Sequence, residues 1–162
     1  NKVQEALEKW EEIKKKNNKI KLHLIGKLQT NKVKFAVKIF DYIHSLDSEK
    51  LAKKISSFHQ SKNLKIFIQV NIGDEHQKSG IHESKLFEFY DLCKGLKLNV
   101  IGLMCIPPID GDTNIYFRKM RELKNKYNFK ELSMGMSSDY LNAIEFESSY
   151  LRIGSSIFGK RD

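Results

Sequence analysis

The chain has few prolines: two in 162 residues, beside 40% hydrophobic and 30% charged residues. That balance argues against a disordered segment, which would be poor in apolar side chains, and fits a folded, soluble protein. Cysteine is equally scarce. Cys93 and Cys105 show neither C-x-x-C pairing nor metal-ligand spacing, and two cysteines make no disulfide framework, so a reducing, cytoplasmic compartment is expected. No apolar run approaches the ~20 residues that span a bilayer. A signal peptide is also absent, so no membrane partner is expected. Nor does the sequence hold a Ser/His/Asp arrangement, a P-loop or a glycine-rich dinucleotide fingerprint.

Acid is in deficit: 20 Asp and Glu stand against 29 Lys and Arg, a net charge of +9. A basic surface can attract polyanions without sequence recognition. Here the lysines are scattered, with one local cluster at Lys14, Lys15 and Lys16 where a helix end would complement them. The excess therefore reads as a solvated basic surface, and nucleic acid is not an expected partner.

What is present is alternation. Val3, Leu7, Trp10 and Ile13 recur at helical spacing from Lys2 to Lys16, with glutamates early and lysines late. Strands are then predicted at 21–25, 42–46, 65–72, 99–106, 131–134 and 150–153. Helices fall between them, from about 30 and over 48–60, 83–94, 113–127 and 138–147, and GSSIFG follows the last strand. Strand–helix alternation demands a parallel sheet, because each crossover helix must return the chain to the same edge. Both a doubly wound open sheet and a TIM-type (β/α)8 barrel satisfy it. The chain starts at Asn1 rather than methionine and enters a helical pattern at once, which reads as loss of an upstream segment. Two further β/α units would bring the length to that of a barrel, so the expected fold is α/β, a (β/α)8 barrel lacking about its first two strands, with residues 1–162 forming one incomplete domain.

In a barrel the chemistry gathers at the C-terminal strand ends, and a phosphate is commonly held by the loops after strands 7 and 8. Two loops near the end of the chain have the required make-up. LSMGMSSD (132–139) passes from a strand through Gly135 into a Ser-Ser-Asp helix start and offers free backbone N–H groups. In RIGSSIFG (152–159), Gly154 allows close backbone approach, while Ser155 and Ser156 add hydroxyls at a turn. Taken singly, Ser137 could be an N-cap and Gly154 a turn residue; together the loops suit a phosphate monoester. Arg152 falls either inside the barrel mouth or among the outer helices, and its acceptor is either a ligand heteroatom or a carboxylate of the fold. His23 and His44, on predicted strands, read as satisfied core groups, and Met104 and Cys105 as core. Asn71 and Lys78 could line the mouth, although a loop lysine usually faces solvent.

The segments NKVQEAL (1–7), HLIGKLQTNK (23–32), IQVNI (68–72), KSGI (78–81), GLMCIPP (102–108), LSMGMSSD (132–139) and RIGSSIFGKRD (152–162), in this order, resemble the pyridoxal-phosphate homeostasis protein family. That family is similar in fold to the barrel domain of alanine racemase, and the resemblance covers the whole chain. It implies pyridoxal 5'-phosphate (PLP) as cofactor, its phosphate held by the loops of Ser137 and of Gly154 and Ser155, with Arg152 facing the pyridine nitrogen. It also places Asn1 at the asparagine of a Gly-Glu-Asn segment that follows the Schiff-base lysine, so that lysine is expected upstream of Asn1. Lys27, Lys32 and Lys78 lie in loop-like contexts and are not substitutes.

A guanidinium cannot accept the ring proton, which leaves the pyridine neutral and a weaker electron sink. The expected role is accordingly a monomeric carrier that holds PLP and passes it to apo PLP enzymes, without turnover. A racemase-like PLP enzyme is the alternative. Alanine racemase has a similar arginine, but it works with a tyrosine base from a second domain that this length cannot contain.

Overall fold

A computed structural model describes residues 2–59 and 63–159 of the chain. Helix α1 (Val3–Lys16) leads into β1 (His23–Leu24), a 3-10 turn (Thr30–Lys32) with α2 (Val33–Ile39), β2 (Tyr42–Leu46), α3 (Glu49–Ser56) and β3 (Lys65–Gln69). A second 3-10 turn (Glu83–Lys85) and α4 (Leu86–Gly95) follow, then β4 (Val100–Met104), α5 (Thr113–Lys126), β5 (Glu131–Met136), α6 (Tyr140–Glu145), β6 (Tyr150–Arg152) and the one-turn α7 (Ser155–Phe158).

All strand pairs are parallel and the six strands lie in the order β1-β2-β3-β4-β5-β6. This order decides between the two architectures. A doubly wound sheet reverses direction at a switch point, whereas a barrel adds each strand to the same side. The sheet is also curled. Five strand spacings would hold β1 and β6 about 24 Å apart in a flat sheet, yet the ring of Tyr150 on β6 lies 5.8 Å from that of His23 on β1 and 5.7 Å from that of Tyr42 on β2. Among the described residues β1 and β6 have one strand neighbour each, so the structure is a curled, open part of a barrel with helices outside.

Its apolar core lies between the convex face of the sheet and the helices. Ile66, Ile68, Leu103, Leu132 and Met134 point outward from the central strands and meet Leu51, Ala52 and Ile55 of α3, Leu86, Phe89 and Cys93 of α4, and Phe117, Met120 and Leu123 of α5, all buried. These helical residues recur three or four apart, the spacing that puts them on one face. Ser48 and Asp112 start α3 and α5 by accepting from the N–H groups of Leu51 and Asn114. Cys93 and Cys105 are buried, and burial pushes both thiols up to about 12.

Several elements differ from the sequence expectation. β1 keeps two residues rather than 21–25, and β3 ends at Gln69 rather than 72: Val70 still donates to Met104 O but also bridges Ile81, and beyond it the Asn71 side chain holds the loop through Glu75. GSSIFG contains the helical turn α7. In α1 only Val3 is buried; Trp10 and Ile13 are exposed, so the apolar stripe is half used. Lys14 is not a merely solvated charge: its Nζ lies 2.6 Å from Asp41 Oδ2 and donates to Ile39 O, tying α1 to the start of β2.

Candidate functional site

The concave face of the sheet has a different composition from the convex one. Alternation along the strands turns His23, Tyr42, His44, Phe67, Met104, Ser133, Tyr150 and Arg152 to this side. Their contacts follow the same parity: His23 stacks on Tyr42 at 4.0 Å, His44 on Phe67 at 4.3 Å, and the Tyr150 ring meets Phe67 at 5.2 Å. A cleft of about 1210 Å³ opens between the strand edges, with His23, Ile25 and Gly26 on one side and Tyr150 to Gly154 on the other.

At the mouth of this cleft the two C-terminal loops converge. Ser137 does not cap α6. Its Oγ accepts from the Gly154 N–H at 3.1 Å and the Ser156 N–H at 3.3 Å, and its carbonyl accepts from Ser156 Oγ. The loop is shaped upstream by Gly135, whose φ of +90° favours glycine and where an added Cβ would sit 2.6 Å from that of Ala143. Asp139 closes it by accepting from the Met136 N–H at 2.6 Å. Gly154 faces open space: a Cβ there would meet nothing within 4 Å. Ser155 is exposed beside it, so Ser137, Gly154 and Ser155 share one rim. Asn1 lies outside the described residues.

Arg152 points inward. Its Nη1 donates to Ser133 O at 2.7 Å and Ser133 Oγ at 3.0 Å, and its Nη2 donates to Cys105 O at 2.8 Å. Those bonds use three of the five N–H groups of a guanidinium; the other two have no acceptor among the described residues. No carboxylate there lies within ion-pair distance of Arg152 either, so of the two acceptors expected from sequence the carboxylate of the fold is not found. Burial pulls the guanidinium pKa below its usual value, but arginine remains a cation at neutral pH.

His44 is buried and bonded at both nitrogens, to His23 Nδ1 at 3.0 Å and to Ser133 Oγ at 2.8 Å. Burial first, then the nearby His23 and Arg152, pushes its pKa down to about 3. It is the satisfied interior histidine the sequence suggested. His23 is not a core group among the described residues, where it is exposed and opens on the cleft; burial of part of its ring, then Lys65, lowers its pKa against the opposing effect of Asp41. Burial and the Tyr42 hydroxyl hold the Tyr150 phenol up at about 12. From sequence, Ser133 had no role of its own; its signal was a lone hydroxyl between the apolar Leu132 and Met134. Asn71 and Lys78 do not line this cleft, since Asn71 braces its own loop and Lys78 pairs with Glu75 at 2.6 Å and donates to Pro107 O.

Comparison with known proteins bears on this arrangement. A family model described as alanine racemase, N-terminal domain, matches residues 1–162. A pyridoxal phosphate homeostasis protein of Aquifex aeolicus is 40% identical over 173 residues, covering 99% of this chain and 75% of that protein. The chain belongs to the pyridoxal phosphate homeostasis protein family. Another family member, from Pasteurella multocida, is 35% identical, with 100% of this chain and 75% of that one covered. Among solved structures the chain is similar to PipY of Synechococcus elongatus without PLP, at a TM-score of 0.82 and 32% identity over 98% of this chain and 80% of PipY. The PLP-bound form of PipY superposes at a TM-score of 0.78 and 31% identity, covering 98% of this chain and 79% of PipY. Alanine racemase from Corynebacterium glutamicum, at 13% identity and a TM-score of 0.67 over 99% of this chain and 46% of that one, shares the fold.

Proposed function

We propose that this chain binds PLP at the mouth of the cleft and serves cofactor homeostasis by holding and passing it on, rather than by turnover. The observation that carries the reading is the meeting, in one cleft, of the Ser137–Gly154–Ser156 hydrogen-bond cluster and a half-buried, inward-pointing arginine with unclaimed donors. Backbone N–H groups that already converge on one hydroxyl oxygen suit a phosphate oxygen, and the residues present thus fit the phosphate end of the cofactor. In this reading Ser137, Gly154 and Ser155 hold the phosphate and Arg152 faces the ring nitrogen, with Asn1 completing the site from the start of the chain. The relatives named for PLP homeostasis and the PLP-bound PipY support it.

Bound PLP supplies an electron sink whose strength rises when its ring nitrogen is protonated. Arg152 cannot take that proton, and it would hold the nitrogen as a donor instead. Two of the interior side chains offer little general base: His44 has both nitrogens engaged, and Tyr150 is kept protonated at neutral pH. Both features favour a carrier over a racemase. Equilibrium dialysis against PLP, pyridoxal and inorganic phosphate tests the reading. Saturable PLP binding, weakened when the phosphate is missing and displaced by inorganic phosphate, is the expected result; equal retention of PLP and pyridoxal would remove it. Mixing loaded protein with an apo PLP enzyme should restore that enzyme's activity, while racemisation of D- or L-alanine by the purified natural protein would favour the catalytic alternative.

A further inference from the structure

The interior of the sheet carries a hydrogen-bond chain that the proposed binding does not by itself require. It runs from Arg152 through Ser133 and His44 to His23, from the β6 edge to the β1 edge. A guanidinium can only donate, so Ser133 Oγ accepts from Arg152 Nη1. Among the described residues the one acceptor left for the Ser133 hydroxyl proton is His44 Nδ1, at 2.8 Å. That nitrogen must therefore be bare, which puts the His44 proton on Nε2, where it donates to His23 Nδ1 at 3.0 Å. The opposite order would aim two donors at Ser133 Oγ and strand a buried hydroxyl proton.

We propose that Ser133 and His44, with His23 as the outer end, are positioning residues for Arg152: a one-way chain of donors whose lone pairs all face the guanidinium. This proposal rests on the reading of Arg152 as the ring-facing residue. The ordered dipoles, with Ser133 O and Cys105 O, stabilise a half-buried cation without a carboxylate. A carboxylate would do the same by cancelling the charge; neutral dipoles leave it available to the cleft. The flat stacking of His44 on Phe67 and of His23 on Tyr42 holds both ring planes, and so the alignment of the chain.

The test has two arms on the full natural protein. Long-range 15N–1H NMR of the imidazoles, with no ligand added, should show His44 neutral and protonated at Nε2; an Nδ1–H tautomer would overturn the proposal whatever the protein binds. In the second arm, His44→Phe and Ser133→Ala should each weaken PLP binding about tenfold and leave binding of inorganic phosphate unchanged. His44→Asn, which retains an acceptor at the Nδ1 position, should recover most of the loss. If Arg152→Gln weakens PLP binding while His44→Phe and Ser133→Ala leave it intact, the relay fails and the binding site stands. If Arg152→Gln itself changes nothing, the ring-side assignment fails, and the tautomer still decides the direction of the chain. Should His44→Phe not fold, the tautomer and Ser133→Ala remain decisive.

Discussion

The two faces of one sheet are built on opposite principles. On the convex face, Ile66, Ile68, Leu103, Leu132 and Met134 pack against helices as an apolar layer without polar side chains between them. On the concave face, His23, His44, Ser133 and Arg152 are joined by directed hydrogen bonds, with the Tyr150 ring packed against His44 and Phe67 beside them. Strand alternation alone separates them, since neighbours such as Leu132 and Ser133 differ by one residue and one face. Stability is concentrated outside, where it scales with buried apolar area, and recognition inside, where each polar group must find a partner or present itself to a ligand.

Breaking the outer layer should have the largest effect. Phe117→Ala removes a fully buried ring and should cost about 3–5 kcal/mol in urea unfolding. Gly102→Ala should be severe for a different reason, because an added Cβ there collides with the Glu131 carbonyl oxygen across the β4–β5 pair. If Phe117→Ala unfolded at the same urea concentration as the parent, the convex face would not be the seat of stability; an unchanged Gly102→Ala would mean that the β4–β5 pair yields to an added methyl.

Next comes the pH dependence of the inner layer. His44 is neutral in the fold down to about 3, but titrates from its ordinary 6.5 once unfolded. The unfolded state then binds the extra proton, so stability is full above 6.5 and is lost as pH falls from there toward 3. The slope approaches about 1.4 kcal/mol per pH unit. Urea titrations at stepped pH should show this slope, and His44→Phe should flatten it; an unchanged slope in that variant would place the acid sensitivity elsewhere.

Smaller effects sharpen the site. Arg152→Gln should lower PLP affinity roughly ten- to hundredfold, the scale of a hydrogen bond to a charged group, as read by equilibrium dialysis. Gly154→Ala should shift stability by less than about 1 kcal/mol, since its Cβ meets only open space, yet weaken PLP binding several-fold by intruding where the phosphate would sit. Loss of stability without loss of binding in Gly154→Ala would mean that the glycine serves the backbone and not the ligand.

The six strands and their helices were legible because periodicity reports burial directly: a residue facing the core is apolar whatever lies across from it. The boundaries of β1 and β3 were less so, because side-chain contacts such as those of Asn71 end a strand that composition would continue. The residues of the phosphate-like rim were visible as loop chemistry, in Ser137, Gly154 and Ser155. Ser133 was not, since a single serine among apolar neighbours carries no local sign of its partner 19 residues away at Arg152.

By itself the sequence determined the alternation of elements, the family and the loops in which chemistry gathers, all of which are local or one-dimensional properties. Only the tertiary structure decided that the strands follow one another in a single direction, that Ser137 accepts from the N–H groups of Gly154 and Ser156 rather than capping its own helix, and that Arg152 turns inward to carbonyls and a hydroxyl instead of a carboxylate. The reason is curvature: bending the sheet brings side chains from its two edges within hydrogen-bonding reach of one chain of groups, and no spacing along the sequence encodes that distance.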